Sequence, residues 1–388
     1  MIASGRKIEP RDLSFFLMAV ATISFHDQSK ILVCAQLLFI MVQFLKKDKV
    51  IILNATKKYL IWGCSFSLYA LMSYIWAVNR STVLSCAISI IQVILIGAAL
   101  INYCNSMERR KKALEILMIA GLILCARLLV FVPTRAWGSE RVGNYIGYGN
   151  VTVTYSLSYI AILIFYEGYK SRNKKYVISS VIMMFFSALS GSKKAIFVAL
   201  ISIVAIVLLS STNLSKRIKN CLMCIVIVLI GIYCLYNVPL LYNAVGYRID
   251  NMILQLNGNS AVVDKSTLDR MLLIQYAKET FLENPILGVG LDAFRYINPI
   301  GRYAHNNYME LLACLGIVGT LLYYCFPIGL LIQLSKRVFV RKRTEYVGLL
   351  ATLVSLLFMD IASVSYSSEP IQITIALIYS TLVLLDNA

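Results

Sequence analysis

The sequence predicts an all-α, polytopic integral membrane bundle of about twelve transmembrane helices with one long extracytoplasmic loop. Three observations predict it. Hydrophobic residues make up 59% of the 388, and mean hydropathy is +0.75; soluble domains average roughly 45–50% apolar. The apolar residues come in runs close to the ~20 that cross a bilayer. Lys and Arg gather in short clusters between those runs, on alternate connections. A barrel would show weak alternating segments of ~10 residues instead, and none dominates.

The apolar runs fall at roughly 13–26, 31–45, 59–78, 83–104, 114–132, 151–168, 177–190, 195–211, 221–238, 308–334, 346–362 and 371–385. The first two and the seventh are short for a span. No fixed-period repeat or low-complexity segment interrupts them, so residues 1–388 read as a single membrane domain. Residues 1–12 are basic and lead into an apolar run without a small-residue cleavage site, so the first run is expected to stay as an anchor.

Orientation follows from the basic clusters. They are Arg6, Lys7 and Arg11; Lys46, Lys47, Lys49, Lys57 and Lys58; Arg109 to Lys112; Lys170, Arg172, Lys174 and Lys175; Lys216, Arg217 and Lys219; and Lys336, Arg337, Arg341, Lys342 and Arg343. These connections, and with them both termini, are expected on the cytoplasmic side. The net charge of +18 therefore sets topology, and no nucleic-acid partner is expected. The ten cysteines lie in or at the ends of apolar runs, where they act as small hydrophobes. Cys221-x-x-Cys224 lacks a partner pair for zinc.

The connection at 239–307 then faces outward. It is too long for an ordinary link, and such loops usually carry function. A helix is expected near 267–283. Ser266 with Asp269 three residues on resembles a capping box, Leu268, Met271, Leu272 and Tyr276 share one face, and Pro285 ends it. Gly288-Val-Gly290 makes a turn. The helix would lie against the membrane surface or lid the bundle.

Outward basic residues work against the positive-inside bias and are therefore informative. Lys193 and Lys194 sit in a short outer turn, Arg135 and Arg141 in the connection before run six, and Arg248, Arg270, Arg295 and Arg302 in the long insert. Arg127 lies near the outer end of run five, with no obvious acidic partner inside the spans. Each either serves an anion or snorkels to headgroups. Several on one face make an anion site, with Arg binding phosphate bidentately and Lys as a point charge. His305, where the insert meets run ten, suits proton transfer from a hydroxyl; the alternative is a hydrogen-bonded interfacial histidine. His26 has nothing chemical around it. Glu310, Asp292, Asp360 and Glu369 are outer-side acids and rival bases. No metal-ligand spacing and no Walker-type loop are present.

Four stretches resemble the bacterial O-antigen ligase and O-antigen polymerase superfamily. ENPILGVGLDAF (283–294) is similar to its Pro-hydrophobic-Gly-Val-Gly stretch, and AHNNYMELLACLGIVG (304–319) to its His-Asn segment. SGSKKAIF (190–197) resembles its Ser-Arg turn, and ERVGNYIGYGN (140–150) its outer Arg-Gly-Asn loop. Arg270 stands where the family commonly has a loop arginine. The resemblance covers nearly the whole chain, and the histidine segment is its most specific part. It implies a metal-independent, cofactor-free glycosyltransferase of the bacterial cytoplasmic membrane, acting on an undecaprenyl-diphosphate-linked oligosaccharide. Arg141, Arg270 and the Lys193/Lys194 turn would hold the diphosphate, and His305 would orient and deprotonate the acceptor hydroxyl. Asn306 would hold the histidine or contact sugar, and Arg127, Arg248 and Glu310 would line the substrate. Attack opposite a diphosphate should invert the anomeric centre. Lys193-Lys194 departs from the family's arginine, which removes bidentate phosphate binding there.

Three functions follow in order of preference. The first is polymerisation of lipid-linked repeat units into a surface polysaccharide, beside a flippase and a chain-length regulator. The second is ligation of a finished glycan to lipid A core or another acceptor. The third, a transporter, would predict paired intramembrane charges and symmetric internal repeats.

Overall fold

The computed structural model describes residues 9–45, 50–137, 140, 142–190, 193–211, 213–256 and 265–387. Among them every regular element is helical. The helices are α1 (Pro10–Ser24), α2 (Ser29–Phe44), α3 (Val50–Met72), α4 (Arg80–Tyr103), α5 (Met107–Phe131), α6 (Asn150–Ser171), α7 (Lys174–Leu189), α8 (Lys193–Leu209) and α9 (Leu214–Asn237). The insert carries α10 (Pro239–Leu241), α11 (Tyr247–Leu256), α12 (Lys265–Glu283) and α13 (Phe294–Ile297), and α14 (Asn307–Ser335), α15 (Val347–Met359) and α16 (Glu369–Asp386) complete the chain. Each apolar run of the sequence coincides with one helix. The stretches Arg80–Tyr103, Met107–Phe131, Ser215–Asn237, Asn307–Val340 and Glu369–Asp386 are long and apolar enough to cross a membrane; Ser29–Phe44, Val198–Leu209 and Thr344–Met359 are shorter apolar helices. This is a helical membrane protein.

Short polar residues set several starts. The side chains of Asn79, Ser106, Asn173 and Asn213 each accept a backbone N–H of the first turn of α4, α5, α7 and α9, satisfying donors that a helix cannot. α16 lies at the centre. Every residue from Ile371 to Leu382 is buried, as expected of a helix packed all round, and its neighbours include α4, α6, α15 and α3. α9 is peripheral, with Leu222, Ile225, Leu229 and Ile232 exposed, a surface suited to lipid.

Polar contacts assort into two ends. At one end Lys112 pairs with Asp12 at 3.2 Å, Arg110 with Glu167 at 2.7 Å, and Arg337 with Asp386. At the other, Gln36 Nε2 donates to Glu369 at 3.0 Å, and Val78 N donates to Val289 O at 3.1 Å. The second end collects the connections that the charge pattern assigns to the outer side, including the insert.

The apolar face read for α12 is not the face that it buries. Leu273, Ala277 and Thr280 are buried, and the helix packs on α14, whereas Leu268, Met271 and Leu272 are 47%, 63% and 42% exposed. The small residues at 277 and 280 let the two helices approach closely, and that decides the packing face over bulk hydrophobicity. Asp269 pairs with Arg302 at 3.6 Å. The helix already begins at Lys265, so the expected cap at Ser266 is a helical position. Pro285 follows the helix end as expected.

Candidate active site

The site is built on a break in α14. Gly316 has φ 63° and ψ −167° within an otherwise helical run, a backbone state essentially restricted to glycine. The loop after α12 fills the break. Val289 N donates to Ala313 O at 3.0 Å and Gly290 N to Cys314 O at 2.8 Å, while Ile317 N donates to Pro285 O at 2.9 Å. The carbonyls and amides released by the break are thereby paired inside the protein, as membrane depth requires. Gly288 (φ 69°) abuts the Cys314 carbonyl, so an added Cβ would collide with backbone. The two glycine motifs of the sequence are one packed unit.

From this unit the chain runs through Asp292, α13 and a tight loop to His305. Asn298 organises that loop. Its Nδ2 donates to Phe294 O at 2.7 Å and Arg302 O at 2.9 Å, and its Oδ1 accepts from Ile300 N and Gly301 N at 3.1 and 3.0 Å. Asp292 is buried and pairs with Arg295. Burial pushes the Asp292 carboxyl above its usual value, and Arg295 only partly offsets it.

His305 is half-buried in a left-handed turn (φ 52°), a conformation rare outside glycine. Its ring lies 4.2 Å from that of Tyr303. Asn306 caps α14, its Oδ1 accepting Met309 N at 3.1 Å; this employs the side chain expected to hold the histidine or sugar. Glu310 is fully buried. Its Oε2 accepts Ala304 N at 2.6 Å and its Oε1 lies 3.5 Å from Cys314 Sγ. The carboxylate expected to line the substrate instead props the histidine turn from within.

Arg270 on α12 is half-buried. Its charge acts on Tyr303 and also on Tyr155 of α6. Burial and the Glu310 charge raise the Tyr303 phenol, with Arg270, Arg295 and Arg302 opposing. Tyr303 thus contacts the histidine ring and lies within range of the Arg270 charge, on a loop held by the Asp269–Arg302 pair and Asn298.

Arg127 lies elsewhere. It pairs with Asp27 at 3.0 Å, donates to Ser24 O, and covers the rings of Phe25 and Phe131 at 4.4 and 5.7 Å. The sequence shows no acidic partner for it inside the spans, and the partner indeed lies outside them, in the turn after α1, remote in sequence. Burial opposes ionisation of Asp27, but Arg127 and Gln28 outweigh it and hold the carboxyl below its usual value. His26 donates its backbone N–H to Tyr148 Oη at 2.6 Å. Arg141 lies outside the described residues. The Lys193, Lys194 and Arg248 side chains also lie outside them, although Lys193 and Lys194 open α8 and Arg248 belongs to α11.

Two site residues escaped sequence reasoning. Asn307 Nδ2 donates to Tyr324 Oη at 2.8 Å and its Oδ1 accepts Ser365 N at 2.8 Å, while Asn307 N donates to Asp360 O at 2.7 Å. Tyr324 Oη donates to Asp360 Oδ2 at 2.7 Å. Together they lock the start of α14 to the turn between α15 and α16. The adjacent Asn306-Asn307 pair was the available signal, but nothing local distinguishes a cap from a clamp.

Residues 178–324 match the family model described as O-antigen ligase. That stretch runs from α7 past the break in α14 and includes Arg270 and His305, and over it the chain is similar to the O-antigen ligase family. Enzymes of this kind are glycosyltransferase-like and act on polyprenyl-linked glycans. No curated protein matches the chain.

Proposed function

We propose that this protein, with its O-antigen ligase domain over residues 178–324, polymerises undecaprenyl-diphosphate-linked oligosaccharides into a surface polysaccharide. The observation that carries the reading is His305 stacked on Tyr303 beside a break stabilised by the insert, with the Arg270 charge acting on the same Tyr303. A cation and a histidine serving one site are what transfer from a lipid diphosphate needs. Arg270, joined by Arg141 and the Lys193/Lys194 turn, stabilises the departing diphosphate. His305 takes the proton of the attacking hydroxyl. The reaction is metal-independent and inverting. The twelve helices that match the apolar runs span the bacterial cytoplasmic membrane, with both termini inside and 239–307 outside. A flippase and a chain-length regulator of the same route are the expected partners.

A second reading is ligation of finished glycan to lipid A core or another acceptor, which the family match fits equally well. Reconstitution in EDTA with an undecaprenyl-diphosphate oligosaccharide as sole sugar separates the two. A ladder of longer lipid-linked products supports the polymerase. Transfer only after lipid A core is added supports the ligase. No transfer in either case, from folded protein, rejects both in favour of a transporter.

A further inference from the structure

At the opposite end of the bundle lies a recess of about 950 Å³, lined by residues of α6, α7, the α8–α9 turn, α9 and the turn before α15. Lys170 at the end of α6, Arg172 in the α6–α7 connection and Lys174 at the start of α7 line it, with Lys216 and Lys219 from α9. Its one acidic lining residue, Glu345, is already paired with Arg343 at 2.7 Å. The positive-inside rule accounts for cations in these connections. It does not account for their convergence from different connections onto one hollow, where they repel each other unless an anion intervenes. The recess is also firmly built. Tyr166 Oη donates to Thr344 O at 3.1 Å, and Asn220 Nδ2 donates to Ser211 Oγ at 2.8 Å and to Val207 O at 3.2 Å. Its apolar wall includes Val177 and Ile178, the latter 58% exposed.

We propose that this recess holds the headgroup of an anionic phospholipid carrying two phosphates. Cations on facing walls suit two linked phosphates better than one. Basic pockets between membrane helices on the cytoplasmic side favour such headgroups. The exposed apolar wall gives the acyl chains a path that a soluble polyphosphate would not use. The positive-inside orientation enters only in deciding which leaflet supplies the lipid, and the site is separate from the proposed transfer chemistry.

The test is native mass spectrometry of the full-length protein in detergent, offered cardiolipin, phosphatidylcholine or inorganic pyrophosphate, with no glycan present. Cardiolipin adducts should exceed phosphatidylcholine adducts at least tenfold. The K170Q/K174Q/K216Q/K219Q variant should lose that preference, and K170R/K174R/K216R/K219R should keep it. A control with equal charge removed elsewhere, K57Q/K58Q/K111Q/R341Q, should also keep it. Cardiolipin retained by the recess Gln variant overturns the proposal, as does equal loss in the control. Pyrophosphate displacing cardiolipin at equal concentration overturns the lipid assignment in favour of a soluble polyphosphate. Because glycan transfer is not measured, neither result bears on the transferase reading.

Discussion

Glu310 Oε2 accepts the backbone N–H of Ala304 at 2.6 Å, so a carboxylate buried in α14 supports the turn that presents His305. In the proposed reaction Glu310 is a positioning residue and His305 the proton acceptor. His305→Ala should reduce transfer by about 10²–10⁴-fold while the protein still inserts. Glu310→Leu would strand the Ala304 N–H, at about 1–3 kcal/mol, and should lower turnover with little change in KM; Glu310→Gln retains an acceptor and should keep most activity. Steady-state kinetics with the lipid-linked donor check both. Full activity of His305→Ala would remove the proposed base.

Arg270 is expected to stabilise developing phosphate charge. Arg270→Ala should cost about 10²–10³-fold in turnover, the scale of losing one oriented donor in a dry site. Arg270→Lys should recover only a minor part, because an ammonium cannot grip phosphate bidentately. Equal activity of the Lys and Arg forms would argue against a bidentate contact.

The break in α14 makes a stability prediction. At Gly316 an added Cβ would fall on the Ile286 carbonyl, at a positive φ. Gly316→Ala should destabilise by about 1–3 kcal/mol from backbone conformation alone, with the clash in addition. Gly329 has open space around it and serves as control in the same helix. Thermal unfolding in detergent should show a lowered midpoint for Gly316→Ala and a much smaller change for Gly329→Ala. Equal midpoints would contradict the packed unit.

Asp27 predicts a pH effect. Its folded carboxyl titrates below the ordinary aspartate value because Arg127 and Gln28 outweigh burial. The folded state therefore binds the proton more weakly than the unfolded chain. The stabilisation is complete above about pH 3.8 and declines as pH falls through the lower folded value. Asp27→Asn should be less stable near neutrality and lose less on acidification. The pair is largely shielded, with side chains 14% and 20% exposed for Arg127 and Asp27, so the difference should survive moderate salt. Parallel unfolding curves for wild type and Asp27→Asn across that window would exclude the linkage.

Apolar run length is a local property, and it located the helices of this bundle. The glycine stretches and His305 were also visible, because short motifs carry backbone and proton chemistry in their own residues. What they do together was not visible. That 285–290 fills the break at Gly316, that Asp27 neutralises Arg127, and that Asn307 clamps Asp360 and Ser365 are pairings across long sequence separations. No periodicity encodes such pairings. The packed face of α12 was hidden for a related reason: in a bundle, close approach of small residues competes with hydrophobicity, and only the neighbouring helix decides which face is covered. Charge along the chain determined where the cations are. The tertiary structure decided which of them line one recess and which pair with an acid.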